Sequence, residues 1–207
     1  LDNFYDQCFL CQSTKKIPSQ PIPYRSPDPP QGPGSHMNAD VIKRAKQLIL
    51  VNIDAFSNYM TTTIIRSERA SDLEQGLIQV ITPIMLSPTV SVRVDAAPGL
   101  KSLASKQSTA LHDLGINLDI GEPTNKNSNC HVDKAIQELE LEISKLAPQM
   151  STITSLQLAK ATSIVNNKLR HHGISAKEIL FKRDNITNKP INVDDRLIFE
   201  ENRSNAV

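Results

Sequence analysis

The sequence contains no tryptophan, and only 4% of its 207 residues are aromatic. Hydrophobic residues still make up 39%, so a core would have to be built from aliphatic side chains. No apolar run approaches the ~20 residues of a membrane-spanning helix, and the N-terminus does not have the form of a signal peptide. We therefore expect one ordinary domain with appendages and no membrane as a partner.

An excess of positive charge is also missing, because 23 Lys and Arg residues stand against 22 Asp and Glu residues. With a net charge of +1, any surface that binds nucleic acid must be local.

The three cysteines are too few for a disulfide framework. Cys8 and Cys11 are spaced as C-x-x-C, which suits a metal better than a disulfide, and Cys130 stands alone.

Composition divides the chain into four parts. Residues 1–16 predict a short helix that ends in the C-x-x-C, and residues 17–36 hold seven prolines and two glycines, as in an extended linker. Periodic segments fill residues 37–184, and the tail 185–207 has no periodicity. Because the chain starts at Leu1 and not at Met, we expect a piece of a longer polyprotein or a trimmed chain.

Strand and helix patterns alternate in the central part. Strands are predicted over 37–43, 47–56, 58–66, 91–95 and 116–122. Helices are predicted over 71–86, capped by Ser71 with Glu74, over 131–147, over 154–173, capped by Thr154, and from Ser175. A loop and a further helix connect Asp95 to Gly115. Three antiparallel strands followed by alternating elements predict an α/β fold, a mixed five-stranded sheet flanked by helices.

Three acidic residues, far apart in the chain, stand where this layout would bring them together. Asp40 lies in the first strand, Asp95 at the end of the fourth strand, and Asp133 in the first turn of the long helix. Converging carboxylates repel each other unless a cation neutralises them, and hard oxygen ligands select Mg²⁺ or Mn²⁺. The alternative is that these are ordinary acids, since an Asp in a first helical turn is favourable without any function.

Four segments carry a resemblance to a known family. These are NADVIKRAKQLILVNIDAFSNYMTT, VRVDAAPGLKSLA, NKNSNCHVDKAIQELELEI and NNKLRHHGISAKEILFKRD. They resemble the integrase of long-terminal-repeat retrotransposons of the Ty3/gypsy-like kind, within the retroviral integrase superfamily, from about Leu1 to Asp184. The resemblance implies an RNase H-like catalytic core over 37–184, preceded by the remnant of a zinc-binding module at 1–16.

The resemblance also assigns roles to the acids. Asp40 and Asp95 match the first two catalytic residues, which bind Mg²⁺ or Mn²⁺, and Asp54 matches a non-catalytic acid of the second strand. Asp133 stands where the family has a Glu, so its carboxylate is withdrawn by about 1 Å, and errors of this size can cost ~10²-fold in rate.

The Cys8–Cys11 pair resembles the second half of a His-His-Cys-Cys zinc module. C-x-x-C ligands suit tetrahedral Zn²⁺, but no pair of histidines precedes them. We expect Zn²⁺ only if the missing ligands are supplied, and otherwise two free thiols in a partial site.

Several basic residues are candidates for contacts with DNA phosphates. Basic residues near the three acids that could contact DNA are Lys43, Arg44, Lys46, Lys101, Lys106, Lys126 and Lys134. The DNA-binding residues chosen from them are Lys43, Lys101, Lys106, Lys126 and Lys134. A second group comprises Lys168, Arg170, His171, His172, Lys182 and Arg183, for which a solvated surface is an equal alternative.

Two functional hypotheses follow. The first is an integrase that trims the 3′ ends of element DNA and joins them to target DNA in the nucleus, and the resemblance also implies a homo-oligomer. The second is a catalytically inactive, domesticated integrase core that serves as a DNA-binding or protein-interaction module. Asp133, Glu140 and the nearly neutral net charge favour the second. Retroviral relatives carry basic residues at the places of Gln137 and Glu140, which weakens the expected DNA contact.

Overall fold

The computed structural model describes residue 30 and the ranges 32–105, 108–121, 130–147, 151–170, 173–194 and 197–198. Five strands are present in these ranges: β1 His36–Arg44, β2 Gln47–Asp54, β3 Met60–Ile65, β4 Val90–Val94 and β5 Ile116–Ile120. The main helices are α1 Ala70–Ile81, α2 Pro98–Ser105, α3 Thr109–Asp113, α4 Cys130–Leu146, α5 Ser155–Asn167 and α6 Ala176–Phe181. The predicted zinc-module remnant and most of the predicted linker lie outside the described residues.

The strands form one mixed sheet in the order β3-β2-β1-β4-β5. β1, β2 and β3 pair as an antiparallel meander, whereas β4 lies parallel to β1 and β5 lies parallel to β4. The predicted five-stranded α/β sheet is thus confirmed, and so is the neighbourhood of the first and fourth strands. The β1–β2 hairpin turns through Ala45 and Lys46, whose φ values of 45° and 67° are those of a tight two-residue turn.

A hydrophobic core lies on each face of the sheet, which explains why β2 is apolar almost throughout. The first core joins the sheet to α1, α2 and α3 and includes Met37, Ala39, Leu50, Val92, Val94, Leu73, Leu77, Leu100 and Leu111. The second joins the sheet to α4 and α5 and includes Ile42, Ile49, Val51, Val132, Ile136, Leu139, Ile143, Leu158 and Val165. Side chains alternate along β1, so Asp40 shares the α4 face with Ile42.

The first helix differs from its predicted form at both ends. It begins at Ala70 with Arg69 in the N-cap position and no side-chain cap, so the predicted Ser71 cap is wrong. Glu74, its supposed capping-box partner, instead accepts a hydrogen bond from Ser108. The helix ends at Ile81 and continues as a 3-10 turn over Thr82–Ile84, because Pro83 cannot donate to an α-helical hydrogen bond.

α5 and α6 begin where their capping signals predict, but α5 ends earlier than predicted. α5 begins with the predicted capping box of Thr154 and Gln157, but it ends at Asn167, six residues before the predicted stop at Gly173. Ser175 and Glu178 form a second capping box in front of α6. No helix of the described ranges is long and apolar enough to cross a membrane.

The chain stays hydrogen-bonded beyond Asp184, where the sequence begins a tail without periodicity. Arg183 pairs with Pro190 in an antiparallel bridge, and the N–H of Ile191 donates to the carbonyl of Lys182 at 3.0 Å. A short hairpin over residues 182–191 therefore follows α6.

Candidate active site

The register between β1 and β4 brings two of the predicted site residues to the same level of the sheet. Ala39 is paired with Val94, and the next residue along each parallel chain is Asp40 and Asp95, respectively. Asp95 is the first residue after β4 and not its last, so its side chain is exposed while Asp40 is half-buried. Neighbouring strands lie about 4.8 Å apart, so two carboxylates at this level repel each other unless one is protonated or a cation is bound.

Asp40 has the most perturbed environment of the three predicted acids. Burial raises its pKa from the ordinary value of 3.8 to about 6. The N–H of Val41 donates to Asp40 Oδ1 at 2.7 Å and opposes this rise, whereas the negative charges of Asp95, Asp133 and Glu68 add to it. The charges of Asp95 and Asp133 thus reach Asp40 in the folded chain.

α4 positions Asp133 near Asp40. Val132, Ile136, Leu139 and Ile143 of that helix are buried in the second core, which fixes the helix across β1 and β2. Asp133 lies in the first turn and is exposed to solvent. The N-terminal end of a helix carries partial positive charge, which stabilises a carboxylate there whether or not a metal is bound.

The donor chemistry of the three acids fits a hard divalent cation, since all of their side-chain ligands would be carboxylate oxygens. Within the part of the chain that the structure describes, however, no group of three or more His, Cys, Asp or Glu residues is arranged closely enough to hold a metal ion. Asp95 and Asp133 are exposed and have room to turn. The site is therefore a set of charge-coupled carboxylates, without a preformed cage of ligands.

Glu68 is a fourth carboxylate at this site that the sequence did not single out. β1, β3 and β4 run in the same direction, so the loop that follows β3 lies at the same end of the strands as Asp95, which follows β4. Glu68 Oε2 accepts a hydrogen bond from Lys43 Nζ at 2.7 Å, and its carbonyl oxygen leaves no room for a Cβ at Gly99, near the start of α2. Only the strand order could have identified Glu68, because nothing in its local sequence resembles a site.

The predicted DNA-contacting lysines have different environments. Lys43 is exposed but forms an ion pair with Glu68, so its charge is already partly matched. Lys101 in α2 and Lys134 in α4 are exposed on the two helices next to Asp95 and Asp133. Lys106 and Lys126 lie outside the described residues, as do Cys8 and Cys11.

Asp54 is fully buried and serves as a structural acid. Its carboxylate accepts hydrogen bonds from the N–H of Gly34 at 2.8 Å, from the N–H of Ser57 at 2.7 Å and from Ser57 Oγ at 2.6 Å. Burial raises its pKa, and these bonds work in the opposite direction. Asp54 thereby links Gly34, just before β1, to the loop between β2 and β3. It is not among the acids whose charges raise the pKa of Asp40.

Comparison of the sequence with protein-family models finds no match, and neither does comparison with curated proteins. The folded chain is more informative, because a mixed five-stranded sheet flanked by helices in this arrangement is the fold of retroviral integrase catalytic cores.

Two solved structures illustrate the likeness. A chain of the simian T-cell lymphotropic virus intasome in complex with PP2A regulatory subunit B56 gamma superposes with a TM-score of 0.66 and 20% identity, over 93% of this chain and 69% of that one. The catalytic core domain of BIV integrase superposes with a TM-score of 0.58 and 21% identity, over 72% of this chain and 95% of that one. At this level of identity, the likeness concerns the fold.

Proposed function

We propose that this chain is a retroelement integrase core of the long-terminal-repeat, Ty3/gypsy-like kind, a polynucleotidyl transferase that uses Asp40, Asp95 and Asp133. The observation that carries the proposal is that Asp40 and Asp95 follow paired residues of two adjacent parallel strands on an integrase-like sheet. Asp133, in the first turn of α4, is near enough for its charge to raise the pKa of Asp40.

The reaction has two steps that share one chemistry. In 3′-end processing, the oxygen of water forms a bond to phosphorus, and the bond from phosphorus to the 3′ oxygen breaks, which leaves a 3′-hydroxyl. In strand transfer, that hydroxyl attacks a phosphodiester of the target DNA and displaces its 3′ oxygen. Bound Mg²⁺ or Mn²⁺ would activate the attacking oxygen and neutralise charge on the leaving one.

The chain's own residues have distinct tasks in this scheme. Asp40, held in β1, provides a fixed carboxylate that is ionised above about pH 6 and is then able to bind a cation. Asp95 and Asp133 would complete the ligand set from the carboxyl end of β4 and the first turn of α4, by rotation of exposed side chains. Lys101 and Lys134 would hold the phosphodiester backbone next to these acids.

The test is strand transfer of a labelled oligonucleotide in the presence of Mn²⁺. Asp40→Asn should abolish joining, because the amide keeps the shape but loses the charge. Asp113→Asn is the matched control, since Asp113 is an exposed acid just before β5, at the opposite end of the parallel strands. Joining by the Asp40→Asn protein at the wild-type rate would disprove the assignment.

A catalytically inactive, domesticated core is the second candidate, and the absence of a preformed metal cage among the described residues favours it. Asp133→Glu separates the two, because the longer side chain restores the family's residue. If the wild-type protein is inactive and Asp133→Glu joins DNA, the site has decayed. If neither protein takes up Mn²⁺ in calorimetry, the chain acts through binding alone.

A further inference from the structure

The positive charge of this nearly neutral chain is concentrated in one stretch. Residues 168–170 and 173–191, here called the basic segment, contain six Lys and Arg residues and two acids, a net charge of +4, whereas the whole chain has +1. His171 and His172 of the second predicted group lie outside the described residues. The remainder of the chain is therefore net negative by three. Such an asymmetry indicates a local surface for a polyanion, even though the overall charge does not.

The basic segment is tied together as one structural unit. α6 packs against α5, and Leu169 pairs with Ser175 in an antiparallel bridge. Asn185 of the hairpin donates from Nδ2 to Ser175 Oγ at 2.7 Å and from its backbone N–H to Glu178 Oε1 at 3.1 Å. These bonds hold the hairpin over residues 182–191 against the start of α6.

Both acids of the basic segment are used inside it. The Glu178 carboxylate accepts from the N–H of Ser175 at 2.9 Å and from Ser175 Oγ at 2.8 Å. The Asp184 carboxylate accepts from the N–H of Ile186 at 3.0 Å and from the N–H and hydroxyl of Thr187. These oxygens thus serve mainly to fix the local backbone of the segment.

The cations, by contrast, face solvent. Lys168, Lys182, Arg183 and Lys189 are exposed, and Lys168 and Lys189 form no ion pair with a described residue. Arg170 and Lys177 are the exceptions, because both are half-buried. Arg170 Nη2 also lies 3.4 Å from Glu138 Oε2 of α4. Exposed lysines without an ion-pair partner are free to contact phosphates, and contacts of this type do not depend on base sequence.

We propose that the basic segment is a second nucleic-acid surface, which binds the DNA backbone independently of metal and apart from the three acids. The choice of DNA over other polyanions rests on the proposed function. A lipid surface is less suited, because α6 has only six residues and offers no long amphipathic face.

The test measures binding of a fluorescein-labelled DNA duplex to the full chain by anisotropy, with EDTA present. Lys168→Gln/Lys189→Gln should weaken binding about tenfold and flatten the dependence of log K on log salt by about two, between about 50 and about 200 mM salt. Lys168→Glu/Lys189→Glu should weaken it further. The matched control is Lys145→Gln/Lys160→Gln, which removes the same charge from exposed lysines of α4 and α5.

Affinity of the Lys168→Gln/Lys189→Gln protein within about twofold of wild type, or an equal loss in the control, would overturn the proposal. Tighter binding to phosphatidylcholine vesicles that contain phosphatidylserine than to DNA would assign the surface to lipid instead. Circular dichroism melting of each variant separates loss of binding from loss of fold. Binding is measured in EDTA and joining in Mn²⁺, so a failure of this surface and a failure of strand transfer are detected in different experiments.

Discussion

Replacing Asp40 by Asn should change how the stability of the protein depends on pH. The pKa of Asp40 is raised to about 6 in the folded chain, so the folded state holds this proton more tightly than the unfolded state does. Its contribution to stability is therefore fully present below pH 3.8, the ordinary value, and is lost as the pH rises through about 6. The amide of the Asp40→Asn protein does not titrate and should keep that stability at neutral pH.

The size of the effect follows from the shift. At about 1.36 kcal/mol for each pKa unit, the change from 3.8 to about 6 sets an upper limit of about 3 kcal/mol. Asp40 is only half-buried and solvent screens part of the repulsion, so we expect about 1–2 kcal/mol. The amide oxygen of Asn can still accept the hydrogen bond from the N–H of Val41, so the substitution should cost little in packing.

The measurement is urea unfolding of the wild-type and Asp40→Asn proteins from about pH 4 to about pH 8, followed by circular dichroism. The difference in unfolding free energy should grow in favour of the variant between about pH 4 and about pH 7 and then level off. Asp113→Asn should show no comparable pH-dependent gain. A difference that stays constant over this range would refute the claim that Asp40 lies in a buried, negatively charged environment.

Further predictions concern the supports of the fold and the zinc content. Asp54→Ala should lower the unfolding free energy by about 2–4 kcal/mol, because it leaves three buried donors without an acceptor, as urea denaturation would reveal. Arg44→Met should cost about 1–3 kcal/mol by the same measurement, since Arg44 Nη2 donates to the carbonyl of Ala147 at 2.7 Å; an unchanged midpoint would show that this bond is dispensable. Thr154→Ala should cost about 1 kcal/mol through loss of the α5 cap, and Thr154→Ser should preserve it. Elemental analysis of the purified protein should find far less than one zinc per chain, and stoichiometric zinc would contradict the expectation of free thiols at Cys8 and Cys11.

Arg44 also shows how remote residues support the site. It is buried at the end of β1, four residues beyond Asp40, and its contact with Ala147 lies just past the last turn of α4. A cation at the carboxyl end of a helix is favourable, and here it also fixes that end of α4 to the strand that carries Asp40. Gln47 reinforces the junction through two hydrogen bonds to the backbone of Ile153. The sequence placed Arg44 among the residues that could contact DNA, and the burial of its side chain contradicts that prediction.

The sequence alone determined the elements and their order, because these depend on local properties. Short runs of apolar and β-branched residues indicated β2 and β3, and the helical period of apolar residues indicated α4 and α5. The capping box at Thr154 was readable because its partners are three residues apart. The same local signal, Ser71 followed by Glu74, gave a wrong cap for α1. The helix already begins at Ala70, and Glu74 accepts a hydrogen bond from Ser108 in front of α3.

What the tertiary structure decided concerns residues far apart in the chain. The pairing of β1 with β4 places Asp95 beside Asp40. Burial raises the pKa of Asp40, and no local sequence pattern predicts that burial. Glu68 lies near Asp40 because β3 and β4 end at the same end of the sheet. Its carboxylate forms an ion pair with Lys43, which the local sequence does not indicate. Charges interact through space, so the partners of a carboxylate follow from the fold, whereas the sequence specifies only which carboxylates are available.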